Sequence, residues 1–416
     1  MKHPGVFQVT AMLLIGTVMA SADEARGSIQ EKRGGWVERI DEVIDVKPGG
    51  TLSLDSDRGG ITVDAEKRKG VRIIVEKTVD AYTEEEARLV FDRYSVDIAR
   101  DGNDVEVITE SEGRRTRSLQ TSIRVVVPHN YNVDVETGGG GIDIGDLVGD
   151  VMARTSGGGI SVGHIRDGSV DVHTSGGGIH IGSIENGDGE AKTSGGGISV
   201  GDVSGDLSVR TSGGGINIGK VAGDLEARTS GGGIQIGSGG TVEAQTGGGG
   251  IRVSGSTGAV VVHTSGGGIT ISDAGGPVTA ETSGGGISVD GADGPVVAIT
   301  SGGGLMIKDV RGSIEAETSG GGITAELAVA DPGVDTHCNL ETGGGDISIR
   351  LPADLHATID AELQLRRPRR EYSITTDFNL DIDENSRRIV ARGDINGGGD
   401  TIRLRTTNGD IEIEKR

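Results

Sequence analysis

Thr211-Ser212-Gly213-Gly214-Gly215-Ile216-Asn217-Ile218 is one copy of a string that comes round twelve times in this 416-residue chain. Eleven copies begin at Thr137, Thr155, Thr174, Thr193, Thr211, Thr229, Thr246, Thr264, Thr282, Thr300 and Thr318, spaced by 17 to 19 residues. A twelfth, Thr342-Gly343-Gly344-Gly345-Asp346-Ile347, follows after a six-residue insertion. A short fixed period means that each unit is one turn of a stacked array. Before the glycines, Leu207, Val209 and Thr211 alternate with polar residues, and Ile216 and Ile218 do so after them. Alternation at period two marks strands with one buried face. The pair after the glycines returns as Ile142/Ile144, Ile160/Val162, Ile179/Ile181, Ile234/Ile236 and so on to Ile323/Ala325. The reading is all-β: a parallel β-solenoid, or β-helix, of about 18 residues per turn. With equivalent residues ~4.8 Å apart, eleven turns span roughly 50 Å. The handedness rule for parallel crossovers predicts a right-handed coil.

The glycines are expected to turn the corner between two strands, since glycine tolerates both positive φ and close stacking of successive backbones. A second use is a shallow groove into which a ligand backbone settles. The threonine keeps inward parity and is expected to supply a hydroxyl ladder at the corner, in place of the asparagine ladders of other β-helices.

Composition agrees with a thin rod. None of the eight aromatic residues lies between Tyr131 and Tyr372, and a core of stacked aliphatic rows needs none. Seventy-seven glycines with only eight prolines, at this period, fit neither collagen nor low-complexity disorder. The formal charge of −23 argues against nucleic acid or an anionic membrane as partner, because phosphate contacts need clustered Lys and Arg. The single cysteine, Cys338, cannot form an internal disulfide.

Four regions follow. Residues 1–22 read as a signal peptide: Lys2 and His3, an apolar stretch from Val6 to Met19, then Ala20-Ser21-Ala22. After its cleavage no transmembrane segment is expected. Residues 23–136 are an N-terminal β-rich capping region with one short helix, where Thr83 and Glu86 form a capping box and Ala87, Val90, Phe91 and Tyr94 make an apolar stripe. Residues 137–327 are the repeat solenoid. Residues 328–416 are a C-terminal β cap, with a basic loop at Arg366-Arg367-Pro368-Arg369-Arg370 and a last echo of the unit at Thr407-Asn408-Gly409-Asp410-Ile411.

Little chemistry is suggested by spacing. The nonapeptide calcium repeat needs an aspartate where only Asp143 stands; the equivalent residues are Ser161, His180, Ser199, Asn217, Gln235, Arg252, Thr270, Ser288, Met306 and Thr324. His173 and His263 share a unit position five turns apart, and His164 and His180 fall at others, so no metal site is expected. No nucleophile elbow or triad spacing is present, and no catalytic residue or cofactor is assigned. One column is distinctive. Arg154, His173, Lys192, Arg210 and Arg228 stand immediately before the threonine on consecutive turns. They form a candidate face for an anionic glycan. The alternative is local compensation by Asp171, Glu190 and Glu226, two residues earlier on the same outer face.

The chain resembles a widespread family of bacterial envelope proteins that carries the label "putative adhesin". The resemblance rests on Val46-Lys47-Pro48-Gly49-Gly50-Thr51-Leu52 with Gly59-Gly60-Ile61-Thr62-Val63, on Val125-Val126-Val127-Pro128 before Asn132-Val133-Asp134-Val135, on the repeated units, and on the closing Thr407-Asn408-Gly409-Asp410-Ile411. It spans almost all of the chain after residue 22, and it carries over no catalytic residues. The expectation is a secreted, non-enzymatic envelope protein, adhesin-like or scaffolding, located in the periplasm, on the cell surface or outside the cell. Its expected partners are an envelope polysaccharide or another surface protein. The rival is a β-helix carbohydrate-active enzyme, a polysaccharide lyase or hydrolase acting on acidic glycans.

Overall fold

The computed structural model describes residues 27–32, 34–112, 119–329, 333–366 and 372–416. The expected signal peptide and most of the basic loop at 366–370 lie outside them. Strands of the repeat alternate between two parallel walls. On the first wall Val151–Thr155 stacks on Val170–Thr174, then Gly189–Thr193, Leu207–Arg210 and Leu225–Thr229. On the second wall Ile160–Arg166 stacks on Ile179–Glu185, Ile198–Val203 and Ile216–Lys220. Register is strict: Thr155 pairs with Thr174, and Ile160 with Ile179. The architecture is the expected parallel β-solenoid.

Three kinds of inward row fill it. The first wall supplies rows such as Val151, Val170, Leu207, Leu225 and Ala153, Val172, Val209, Ala227; the second supplies the isoleucine pairs. A third row, Leu147, Ile165, Ile184, Val203, Val221, Ala274, Ala292 and Val310, lies on a short side after the second wall and is equally buried. Its residues fall three places beyond the second isoleucine rather than two, outside the period-two pattern.

The threonine ladder is present. Thr211 Oγ1 donates to the Gly196 carbonyl at 2.7 Å, Thr229 to Gly214 at 2.8 Å, and Thr264 to Gly249 at 2.7 Å. The acceptor is always the middle glycine of the preceding turn. The glycines themselves need a correction: none of those in the repeated Thr-Ser-Gly-Gly-Gly corner has positive φ. Close stacking alone demands them. A Cβ on the middle residue, Gly158, Gly177 or Gly214, would lie 2.2 Å from the carbonyl oxygen one turn below. The third position is looser, with Gly215 at 3.3 Å, and Asp346 occupies it in the twelfth unit.

The ends are built by the same rule. Thr51–Ser56 and Gly60–Glu66 form a turn beneath Asn132–Thr137 and Ile142–Ile144, with Gly59 in the middle position. Asp104–Ser111 and Gln120–Pro128 form the turn below that. Antiparallel strands then close both walls: Val71–Val79 and Gly35–Ile44 on one, Tyr94–Asp101 on the other. The helix runs Glu84–Phe91, shorter than the stripe implied, because Tyr94 already begins a strand. Thr83 accepts from the Glu86 amide at 3.2 Å, while the Glu86 carboxylate accepts from Tyr82 rather than from Thr83. Tyr94 ends the hydroxyl ladder, donating to Thr109 Oγ1 at 2.8 Å, which donates to Ser56 Oγ at 2.7 Å.

At the other end the last turn in sequence is not last in space. Asp400–Thr407 and Ile411–Lys415 insert between Cys338–Thr342/Ile347–Leu351 and Ala357–Gln364/Ile374–Thr376. Thr406, not Thr407, takes the ladder position, bonding the Gly345 carbonyl at 2.6 Å. Cys338 is fully buried in the first-wall row, between Ile314 and Ile402. Burial pushes its thiol up to about 12.

Candidate functional site

Outward residues of the first wall stand in two columns, because each strand shows its second and fourth residues to solvent. The second column carries Arg154, His173, Lys192, Arg210 and Arg228, in register from turn to turn. The first carries Met152, Asp171, Glu190, Ser208, Glu226 and Glu243. Arg154 reaches Asp171 at 3.5 Å, Arg210 reaches Glu226 at 3.1 Å and Arg228 reaches Glu243 at 2.5 Å. Lys192 pairs with Glu190, and Arg228 also with Glu226, along their own strands. These side chains remain about a third to a half exposed, so each pair contributes on the order of 0.2–1 kcal/mol. The geometry brings the candidate bases onto one face and gives four of them carboxylate partners.

Beside the acidic column runs an open groove of about 980 Å³, lined among others by Asp134, Asp150, Asp171, Asp188, Glu190 and Glu226. Its floor is a carboxylate ladder at the corner entering the first wall. Asp150 Oδ1 accepts from the Ser169 amide at 2.8 Å, Asp188 from Asp206 at 2.9 Å, and Asp206 from Asp224 at 2.8 Å. Asn132 begins the series by accepting from the Asp150 amide at 3.0 Å. The array therefore has a carboxylate counterpart of the asparagine ladder, at the corner opposite the threonines. Its signal is an aspartate just before the first inward position of four first-wall strands, at Asp150, Asp188, Asp206 and Asp224. Crowding in the groove desolvates the Asp134 carboxyl and raises its pKa; Arg154 opposes this and Asp171 reinforces it.

The remaining polar groups are dispersed. The column at Asp143, Ser161, His180 and Ser199 lies on the outer face of the second wall. His164 Nδ1 meets Ser183 Oγ at 2.8 Å, and His263 faces Glu281 at 3.4 Å on the first wall. Among the described residues no three His, Cys, Asp or Glu side chains cluster to hold a metal ion, and no helix is long and apolar enough to cross a membrane. The C-terminal end carries a denser network, in which Asp360 takes bonds from Arg392 at 2.9 Å and Arg405 at 2.5 Å. Burial works against its charge, yet the two guanidinium groups hold it below the ordinary carboxylate range.

No family model matches the chain, and no curated protein does. Three solved structures similar to it are a "putative adhesin" from Parabacteroides distasonis ATCC 8503, a "putative adhesin" from Parabacteroides merdae ATCC 43184 and a "putative cell adhesion protein" from Clostridium sporogenes ATCC 15579. The first is 12% identical with a TM-score of 0.30, covering 65% of this chain and 96% of that one. The second is 13% identical with a TM-score of 0.33, covering 64% and 95%. The third is 8% identical with a TM-score of 0.17, covering 91% and 100%.

Proposed function

We propose that this chain is a non-enzymatic, exported component of the bacterial cell envelope, an adhesin-like or scaffolding rod. The observation that carries the reading is the outer surface of the array. Short corners join strand to strand, and the same two-column face repeats along the first wall without long loops gathering around a cleft. Such a surface suits repeated weak contacts with a polymer or a neighbouring protein, which add by avidity. The glycan-facing role falls to Arg154, His173, Lys192, Arg210 and Arg228. Their existing carboxylate partners keep each single contact weak, so a polymer must engage several turns together.

Fractionation of producing cells tests export, and a cytosolic chain would end the proposal. Retention of the purified chain on immobilised acidic envelope polysaccharide tests the face. Replacing Arg154, Lys192, Arg210 and Arg228 with Gln is expected to abolish retention, and unchanged retention would remove these residues from ligand binding. Turnover of such a polysaccharide, lost on substitution of one Asp or Arg, would replace the rod by an enzyme.

A further inference from the structure

The two outward columns of the first wall are segregated by sign. From Met152 to Val297 the first column holds Met152, Asp171, Glu190, Ser208, Glu226, Glu243, Val261, Thr279 and Val297, with no base. On the same turns the second column holds Arg154, His173, Lys192, Arg210, Arg228, Gln245, His263, Glu281 and Ile299, with no acid before Glu281. The segregation stops at both ends. Asp134 and Glu136 share one turn, and Glu315 and Glu317 share another.

We propose that this face binds a second copy of the chain, in a parallel dimer whose two-fold axis runs along the rod. Such an axis keeps every turn at its own height and exchanges the two columns. Asp171 then meets the partner subunit's His173, Glu190 the partner's Lys192, Glu226 the partner's Arg228, and Val297 the partner's Ile299. No turn from Met152 to Ile299 sets like charges against each other. The shape agrees with the charge over the first six turns: the groove of about 980 Å³ follows the acidic column from Met152 to Glu243, and the partner's basic column faces it. The paired bases and acids are about a third to a half exposed, so they are open to a partner. Nine turns at ~4.8 Å and five-residue strands at ~3.3 Å give a face of roughly 700 Å² per copy, in the lower part of the range for a specific interface. The interface is isologous, and its closed symmetry stops at two copies. Like-charged turns at Asp134/Glu136 and Glu315/Glu317 bound the contact and set its extent. The dimer covers the basic column, so an acidic polysaccharide meets this face only on the monomer, and measuring dimerisation in the absence of polysaccharide separates the two readings.

Sedimentation equilibrium of the purified chain tests it. The wild type is expected to dimerise at tens of micromolar in low salt and to dissociate as salt rises. Arg228→Glu sets acid against acid across the axis and should raise the dissociation constant by tenfold or more. The double variant Glu226→Arg/Arg228→Glu restores opposite charges within the strand and across the axis, while losing the cross-turn pairs with Arg210 and Glu243, and should dimerise again. It should not form mixed dimers with the wild type, because the exchanged columns then repel. Far-UV circular dichroism checks that each variant keeps its β content. A wild type that stays monomeric at 100 µM, a dimer indifferent to these changes, or a double variant that remains monomeric overturns the proposal. So does a monomeric wild type whose groove binds octalysine, which would assign the face to a cationic partner.

Discussion

Three adjacent glycines, Gly213, Gly214 and Gly215, are alike in sequence and unlike in what they tolerate. A Cβ at Gly214 would sit 2.2 Å from the Gly196 carbonyl oxygen and 2.4 Å from its carbon. A comfortable C···O contact is about 3.3 Å, so the turns would have to part locally by about 1 Å. The oxygen cannot yield, because it accepts the Thr211 hydroxyl at 2.7 Å. Overpacking of this kind costs about 1–3 kcal/mol. Replacing glycine also restricts the unfolded chain, which offsets about 0.4–1 kcal/mol. Gly214→Ala should therefore destabilise the rod by on the order of 1–2 kcal/mol. At Gly215 the nearest atom is 3.3 Å away and φ is not positive, so the entropic gain and the mild crowding nearly cancel. Gly344 has nothing within 4 Å, and Gly344→Ala should stabilise by about 0.4–1 kcal/mol. Urea midpoints, with hydrogen exchange of the amides one turn either side, give the ranking. If Gly214→Ala is as stable as Gly215→Ala, close stacking is not the reason for the middle glycine.

Thr229→Val removes the donor to the Gly214 carbonyl and should cost about 1–3 kcal/mol, read as faster amide exchange in the turns around Thr229. Gly189→Ala would place a methyl 2.7 Å from Leu207 Cδ1 and 2.9 Å from Ile184 Cδ1; the loss of about 1–3 kcal/mol should be largely recovered by adding Leu207→Val, measured as a double-mutant cycle. Cys338, fully buried with its thiol pushed up to about 12, should resist iodoacetamide at pH 8 until the chain is unfolded in urea. Arg72 and Arg39 hold the Asp41 carboxyl down to about 2, below its ordinary value near 3.8, with burial opposing. Its contribution is therefore complete above pH 4 and lost as pH falls toward 2, and Asp41→Asn should remove that part of the acid titration of stability.

The array was legible because its physics repeats. The isoleucine pairs, the inward threonine and the middle glycine each hold a fixed place in the period, and each has one structural reason. The third inward row is not legible in the sequence, for an equally physical cause. It follows a loose corner after the second wall, breaks the alternation by one residue, and shrinks to Gly239, Ser256 and Ala274 midway along the rod, so it has no constant hydropathy to detect. The carboxylate ladder was visible as Asp150, Asp188, Asp206 and Asp224, but aspartates in an acidic chain read as solvated charge until the amide that each accepts is known. The residues of the basic column share one face, as period-two alternation requires. Its carboxylate partners two residues earlier were also visible; the cross-turn bonds from Arg154 to Asp171 and from Arg228 to Glu243 depend on register, which spacing alone leaves open by a residue.

The order of turns at the two ends could not be read from spacing, and it bears on how a rod of identical slices avoids end-to-end growth. A parallel stack that simply stopped would expose a row of unpaired N–H and C=O groups matching its own repeat, a template for the next copy. On the first wall the outermost repeat-like strand is not the edge at either end. On the first wall Asp104–Ser111 is covered by Tyr94–Asp101, and at the far end Ala357–Gln364 by Arg388–Ile395, both antiparallel. Antiparallel cover changes the hydrogen-bond pattern from the slanted ladder of the repeat, so a further parallel turn no longer matches the edge. Beyond Arg388–Ile395 the last strand, Asp381–Asn385, is exposed along its whole length and carries Asp381, Asp383 and Glu384. Clustered acids on an edge strand oppose the approach of another strand of the same sign. The acids that cap the rod and the sign-sorted columns on its side thus have opposite effects, one refusing end-to-end growth and the other favouring a single lateral partner.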